Sequence, residues 1–244
     1  MEQQNLLKKK CKALDIIWFG CVSPEERYSV AKYKKDAIIA INDVIKKGKY
    51  PIVVGGTGLY IDSLVNGIEY DDIKIDINYR NKLEELAKKD GLEAVYNMAN
   101  NIDPEAMKKI SVNDKKRIFR GLKKYKANGK NKNMNEIESR KKDNPFNFKL
   151  FGINMEREKL YERINLRVDI MIKQGLIEEV KNIVKKYNSF PTAMQGLGYK
   201  EVVEFLKNEI TEDEMIEKIK RESRRYAKRQ ITWFKRYENI KWLD

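Results

Sequence analysis

The sequence predicts an α/β fold, in which buried strands of a parallel sheet alternate with helices and one helical region is inserted. Residues 52–54 are three consecutive β-branched residues between a helical pattern and a glycine-rich loop. Such a run is typical of a strand that is buried on both faces. Residues 69–142 carry helical patterns with no further run of this kind, and residues 148–153 are strand-like again. We therefore expect the chain to leave the sheet and return to it.

Helical spacing of apolar side chains predicts the helices in order. The first begins after Ser29 and ends before Gly48, a residue type that commonly follows the last helical turn. Thr211 and Glu214 form the pattern of a capping box, so the last long helix should begin there and run to about Arg236. The other predicted elements are helices at 78–89, 92–100, 113–126, 157–174 and 177–187, and a short terminal strand at 240–243.

These patterns divide the chain into three structural regions. Residues 22–68 form the first part of the α/β core, residues 69–142 the helical insertion, and residues 143–244 the second part of the core with a basic C-terminal helix. Residues 1–21 fit none of these regions and are treated separately below.

Composition excludes several classes of chemistry. The 244 residues contain no histidine, which rules out a histidine general base, a Ser-His or Cys-His nucleophile and every histidine metal site. The two cysteines are too few for a disulfide framework or a four-cysteine zinc site. The low cysteine content leads us to expect a reduced, cytoplasmic compartment, and no apolar run approaches the ~20 residues of a membrane span. The net charge of +14 favours a polyanionic partner.

The loop Gly55-Gly56-Thr57-Gly58 follows the predicted strand and precedes a helix. Glycines let the backbone approach a phosphate closely, and a helix N-terminus presents unpaired N–H groups to an anion. Thr57 adds a hydroxyl at the edge of the sheet where open α/β folds bind ligands. The alternative is a tight strand-to-helix turn with no ligand, and the loop lacks the Lys-Ser/Thr pair of a Walker A motif.

Two basic segments could contact nucleic acid. Residues 114–132 carry nine basic side chains and one acid, and residues 221–236 carry seven and one, interleaved with Tyr226, Trp233 and Phe234. Such a stripe can pair with phosphates while its aromatic rings stack on bases. The alternatives are a solvated helix face for the first segment and, for the second, core aromatic residues flanked by solubilising arginines.

Two further features have a functional and an ordinary interpretation. Arg163 and Arg167 lie one helical turn apart and could hold a diphosphate, or could pair with Glu158, Glu162 and Asp169 nearby. The run from Gln195 to Lys200 could be a helix cap or a nucleic-acid contact.

Together these segments resemble the bacterial tRNA dimethylallyltransferase family, also called the tRNA isopentenyltransferase family. The matching pieces follow the family's order from about Val22 to the end: SPEERYSVAKYKKDA, PIVVGGTGLYI, NDKKRIFRGL, ERINLRVDIMIKQGLIEEV, QGLGYKEV and YAKRQITWFK. The resemblance implies a P-loop-kinase-like sheet core with a helical insertion. It also implies transfer of a dimethylallyl group from its diphosphate to the exocyclic amine of the adenine beside the tRNA anticodon.

The resemblance further implies roles for individual residues. Thr57 and Arg167 would be catalytic, and the diphosphate would lie against Gly55, Gly56, Thr57 and Gly58 with Arg163 assisting Arg167. Mg²⁺ would accompany the diphosphate, no metal ligands are assigned to the protein, and the protein would be a monomer. The residues matching tRNA-contacting segments are Arg80, Lys116, Arg117, Ile118, Phe119, Arg120, Gln195, Gly196, Leu197, Gly198, Tyr199, Lys200, Lys228, Arg229, Gln230, Trp233 and Lys235.

The sequence departs from the family at its start. The family's GPTxSGKT phosphate loop and its SxDSxQ segment, whose Asp is the proposed base, are not in these 244 residues. Residues 1–18 can be reverse-translated so that another frame reads GTAKPTKEEMQGIRHYL, which matches the family. We therefore expect 1–21 to be an out-of-frame start, and activity to be lost or severely impaired. The alternatives are a noncatalytic tRNA-binding fragment and an enzyme that prenylates free adenine nucleotides.

Overall fold

The structure, a computed structural model, describes residues 22–68, 76–129, 144–190 and 192–244. The predicted out-of-frame start at 1–21 lies outside the described residues, and the predicted boundaries at 68/69 and 142/143 adjoin or fall within further segments outside them. The elements in chain order are α1 Val30–Lys46, α2 Gly58–Val65, α3 Ile77–Lys89, α4 Gly91–Ile102, α5 Pro104–Met107, α6 Lys115–Asn128, β1 Phe151–Ile153, α7 Arg157–Lys173, α8 Leu176–Lys186, a 3₁₀ turn Ala193–Gln195, α9 Tyr199–Leu206, α10 Glu212–Phe234 and β2 Lys241–Leu243.

The described chain divides into two compact units. Unit 1 contains residues 22–29, 36–58 and 148–244, and unit 2 contains residues 30–35 and 59–147. The predicted α/β class with a parallel sheet and a helical insertion is confirmed. The strands β1 and β2 pair in parallel, with Gly152 opposite Trp242.

Unit 2 is helical, and aspartates begin three of its helices. The carboxylates of Asp76, Asp103 and Asp114 accept hydrogen bonds from backbone N–H groups in the first turns of α3, α5 and α6, which satisfies donors that a helix cannot pair internally. The helices enclose an apolar core. Its buried members are Leu83, Val95, Ala99, Met107, Ile118, Phe119 and Leu122.

In unit 1 the long helix α10 packs antiparallel to α7. Arg224 donates to the side chain of Asn165 at 2.6 Å, and four residues earlier Lys220 pairs with Asp169 at 2.9 Å. The capping box that the sequence predicts at Thr211 is confirmed. Between α7, α8, α9 and α10 lies the core of this unit. Its buried members are Val168, Leu176, Val180, Val202, Met215 and Ile219.

The buried strand predicted at residues 52–54 is wrong. These residues are not in a strand, and Ile52, Val53 and Val54 are 74%, 38% and 89% exposed. Apolar β-branched residues favour a strand that neighbouring strands cover, but a strand forms only where such neighbours exist. Within the described residues β1 and β2 pair with each other, and neither pairs with residues 52–54.

Candidate active site

The glycine loop at residues 55–58 lies against the C-terminal half of α10. The carbonyl oxygen of Gly56 accepts a hydrogen bond from Nε2 of Gln230 at 2.9 Å and one from the hydroxyl of Tyr226 at 3.4 Å. The indole ring of Trp233 packs on Gly58. Tyr226, Gln230 and Trp233 are spaced i, i+4 and i+7, so they occupy one face of the helix.

This packing explains why one of the loop positions is a glycine. A Cβ atom on Gly58 would lie 2.5 Å from Cγ of Trp233, and one on Gly56 would overlap the side chain of Gln230. Nothing lies within 4 Å of the corresponding position at Gly55. Gly58 is therefore required by the close approach of the Trp233 ring, whereas a Cβ atom on Gly56 would meet the end of the flexible Gln230 side chain. Gly55 and Thr57 are exposed, which leaves them accessible to a ligand.

Arg163 and Arg167 project from the exposed side of α7. Neither forms an ion pair with a described residue, and the nearest polar contact of Arg163 is the sulfur of Met155, at 3.9 Å. The ordinary interpretation, pairing with the nearby acids, is thus not realised in the described residues. Asp169 pairs with Lys220 instead. No hydrogen bond joins either arginine to the loop, but both α7 and the loop pack on α10.

The segment Gln195–Lys200 is a hydrogen-bonded turn that leads into α9. Gly198 adopts φ +91°, and its N–H donates to the carboxylate of Glu201 at 2.8 Å. The hydroxyl of Tyr199 donates to Glu179 at 2.9 Å, and burial together with this bond raises the pKa of Tyr199. The turn is therefore a helix cap held by two acids, while Leu197 and Lys200 at its ends stay partly or fully exposed.

The basic residues of α10 lie beside the aromatic face that holds the loop. The guanidinium of Arg229 lies 5.7 Å from the ring centroid of Tyr226, and that of Arg236 lies 3.9 Å from Trp233. Both arrangements are cation–π contacts. Lys228 and Lys235 are exposed and form no ion pair with a described residue. Arg236 was not assigned a role from the sequence, and Tyr226 was named only as one of the aromatic rings in the basic segment, although its i, i+4, i+7 spacing with Gln230 and Trp233 was a usable signal.

In unit 2 the predicted contacts differ in exposure. Lys116 and Arg120 are exposed and unpaired among the described residues, whereas Arg117 pairs with Asp114 at 3.3 Å. Ile118 and Phe119 are 0% and 5% exposed. Their side chains form part of the helical core, so the predicted tRNA contact at these two positions stays a prediction that their backbone atoms would have to fulfil.

Arg80, the remaining predicted contact in unit 2, lies 3.8 Å from Glu84 in an exposed ion pair. It lines an open groove of about 610 Å³ on α3, together with Ile77, Asn81, Glu84 and Lys88. The groove therefore offers two cations beside one acid, and of its residues only Arg80 was predicted from the sequence.

Comparison with known proteins decides the family. The model of the IPP transferase family matches residues 8–237. The chain belongs to this family. The resemblance stated from the sequence segments is thereby confirmed. A tRNA dimethylallyltransferase of Acetivibrio thermocellus is 47% identical over 224 residues, covering 91% of this chain and 72% of the relative. One from Thermoanaerobacter sp. strain X514 is 46% identical over 242 residues, covering 98% and 77%.

Solved structures agree with this assignment. The full-length tRNA isopentenylpyrophosphate transferase of Bacillus halodurans matches with a TM-score of 0.62 and 36% identity, over 93% of this chain and 70% of that chain. A eukaryotic dimethylallyltransferase acting on tRNA matches with a TM-score of 0.66 and 26% identity, over 91% and 58%. In the described part of this family member, no helix combines the length and apolarity needed to cross a membrane.

The close contact between Gly58 and Trp233 predicts a stability difference between two glycines of one loop. Gly58→Ala should lower the free energy of unfolding by about 1–3 kcal/mol, because the added methyl group displaces a packed indole ring. Gly55→Ala, where the space is open, should change it by less than about 0.5 kcal/mol. Urea unfolding of both variants measures the difference. Equal effects would show that Trp233 does not pack on Gly58 in solution.

Proposed function

We propose that the chain transfers a dimethylallyl group from dimethylallyl diphosphate to the exocyclic N6 of the adenine beside the anticodon of tRNA. Membership of the IPP transferase family and the names of the relatives support this proposal. The observation that carries it is the attachment of the glycine loop to the basic helix α10 through Gly56 and Gln230. A surface for a polyanionic RNA and a loop for a small anion thereby share one helix.

The reaction needs charge stabilisation more than a strong nucleophile. The allylic C–O bond breaks and its electron pair leaves with the diphosphate, while a C–N bond forms at the adenine amine and one N–H proton is lost. Because that amine is weakly nucleophilic, stabilising the departing diphosphate and aiming the base lower the barrier. We assign the diphosphate to Arg167 and Arg163 and to the backbone and hydroxyl of Thr57, with Gly55, Gly56 and Gly58 shaping the loop.

We assign RNA binding to exposed lysine and arginine side chains in each of the two units. Lys228, Arg229 and Lys235 on α10, and Lys116 and Arg120 on α6, would pair with phosphates, which accounts for affinity without base recognition. The target adenine is stacked within its loop and must swing out to be reached. The other contacts proposed from the family pattern are Arg80, Arg117, Gln195, Gly196, Leu197, Gly198, Tyr199, Lys200, Gln230 and Trp233.

The donors of the site suit an anion. Within the described residues, no three acidic or cysteine side chains lie close enough together to hold a metal ion. As the resemblance implies, we propose that an Mg²⁺ ion comes with the diphosphate, and we assign no protein ligand to it. We propose a monomer that acts in the cytoplasm, where tRNA is found. For these 244 residues alone we propose that activity is lost or severely impaired, since they contain neither GPTxSGKT nor SxDSxQ.

Binding of both substrates tests the proposed function. The chain is titrated separately with dimethylallyl diphosphate and with an anticodon stem-loop RNA, and prenyl transfer is then measured with both present. Binding of both supports the proposal. RNA binding without diphosphate binding would favour the noncatalytic tRNA-binding module, which the exposed lysines of α10 also suit. Competition by free AMP for the RNA would favour a nucleotide prenyltransferase, and near-normal turnover would contradict the proposed impairment.

Arg167→Ala should weaken binding of dimethylallyl diphosphate by about 10- to 100-fold, the range expected for loss of a hydrogen bond to a charged group. Arg167→Lys should recover part of this loss, because the charge remains without the bidentate geometry. Lys159→Ala, a charge removal on the same helix in an exposed ion pair with Glu156, is the matched control. Calorimetric titration measures all three. An equal loss of affinity in Lys159→Ala would show that Arg167 acts only through the net charge of the helix.

Removing two cations from α10 should lower the salt dependence of RNA binding. The double variant Lys228→Gln, Lys235→Gln should reduce the slope of log K against log salt concentration by about 2, since each released counterion contributes about 0.9. A second double variant, Lys181→Gln with Lys185→Gln, removes the same charge from the exposed side of α8 and should leave the slope nearly unchanged. Fluorescence anisotropy of labelled stem-loop RNA at several salt concentrations measures both slopes. Identical slopes for the two double variants would show that α10 is not part of the RNA-binding surface.

A further inference from the structure

We propose that Gln230 is a positioning residue that orients the peptide between Gly56 and Thr57 for diphosphate binding. By holding the Gly56 carbonyl toward α10, its side-chain amide turns the Thr57 N–H to the open side of the loop, where this N–H donates to a phosphate oxygen. The inference rests on the proposed function for the identity of the anion. It gives Gln230 a role through the loop in addition to its proposed contact with the RNA.

The geometry of a trans peptide carries the first step. The carbonyl and the N–H of one peptide unit point in opposite directions, and the described chain contains no cis peptide bond. The Gly56 carbonyl is held at 2.9 Å by Nε2 of Gln230 and at 3.4 Å by the hydroxyl of Tyr226. Since both donors belong to α10, the Thr57 N–H must face away from that helix.

The exposure of Thr57 carries the second step. Thr57 is exposed, and neither its N–H nor its hydroxyl bonds to any described residue. The residue after it, Gly58, begins α2, whose first turn adds further N–H groups without helical partners. A peptide N–H and a hydroxyl on one residue, directly before a helix N-terminus, are complementary to a phosphate group.

The chemistry of the glutamine side chain carries the third step. A carbonyl oxygen can be held only by a donor, and the amide of Gln230 provides one on a side chain long enough to reach the loop. Methionine has a similar length and no donor. The packing of Trp233 on Gly58 fixes the other end of the same short segment. Without the bond to Gln230, the Gly56 carbonyl keeps only the longer bond from the Tyr226 hydroxyl at 3.4 Å, so the peptide between these fixed points is held less firmly.

The test compares Gln230→Met with Lys228→Met, a variant two residues away at an exposed position of α10. Pyrophosphate affinity is measured by calorimetry, stem-loop RNA affinity by anisotropy, and melting temperature by circular dichroism. Gln230→Met should weaken pyrophosphate binding by about 10-fold or more with a melting temperature close to that of the unmodified chain, and should lower stem-loop RNA affinity by a smaller factor than pyrophosphate affinity. Lys228→Met should show the reverse pattern, with weaker RNA binding and unchanged pyrophosphate binding.

Selective ¹⁵N-threonine labelling gives a direct readout, because the chain has only four threonines, at positions 57, 192, 211 and 232. Pyrophosphate should shift the Thr57 amide resonance in the unmodified chain, and the shift should be lost in Gln230→Met. Reduced RNA affinity with unchanged pyrophosphate affinity, or a general loss with a lowered melting temperature, would overturn the inference alone. Absence of pyrophosphate binding by the unmodified chain would overturn the inference and the proposed function together.

Discussion

The contact between one face of α10 and the loop at residues 56–58 is the constraint on which the site depends. The N-terminal half of this face buries Met215 and Ile219 in the core of unit 1. Farther along the helix, the same face presents Gln230 and Trp233 to the loop. Because a Cβ atom on Gly58 would lie 2.5 Å from the Trp233 ring, the loop and α10 are fixed against each other by shape as well as by hydrogen bonds.

The other sides of α10 carry the positive charge that this arrangement places beside the loop. Arg229 lies next to Tyr226, and Arg236 lies next to Trp233. Both aromatic side chains also contact the loop. An anion that binds these guanidiniums therefore acts on residues that also position Gly56 and Gly58. A helix with one packed face and one cationic face can thus hold a polyanion and shape a small-anion loop without a second structural element.

Local patterns in the sequence predicted elements whose cause is local. The capping box at Thr211 and Glu214 begins α10 because both partners lie within one turn, and Gly175 separates α7 from α8 because its φ is +91°. The prediction of a strand at 52–54 was wrong because a strand depends on neighbouring strands, which no local pattern reveals. A local pattern also could not show which distant element packs on the loop, so it suggested that the loop glycines make room for a phosphate. Gly56 and Gln230 are 174 positions apart in the sequence, so no local pattern showed that Gly56 and Gly58 lie against α10.

The surroundings of Arg163 and Arg167 show why an anion suits this face of α7. Side chains on a helix meet at i±3 and i±4, and at those offsets the two arginines find each other and otherwise only apolar residues and Lys159. Glu162 and Asp169 stand one and two positions away, where they face other directions. Two like charges one turn apart destabilise a helix by a few tenths of a kcal/mol. A bound diphosphate would offset this repulsion and be attracted by both guanidinium groups. The arginine pair would therefore favour binding of the diphosphate that the reaction releases.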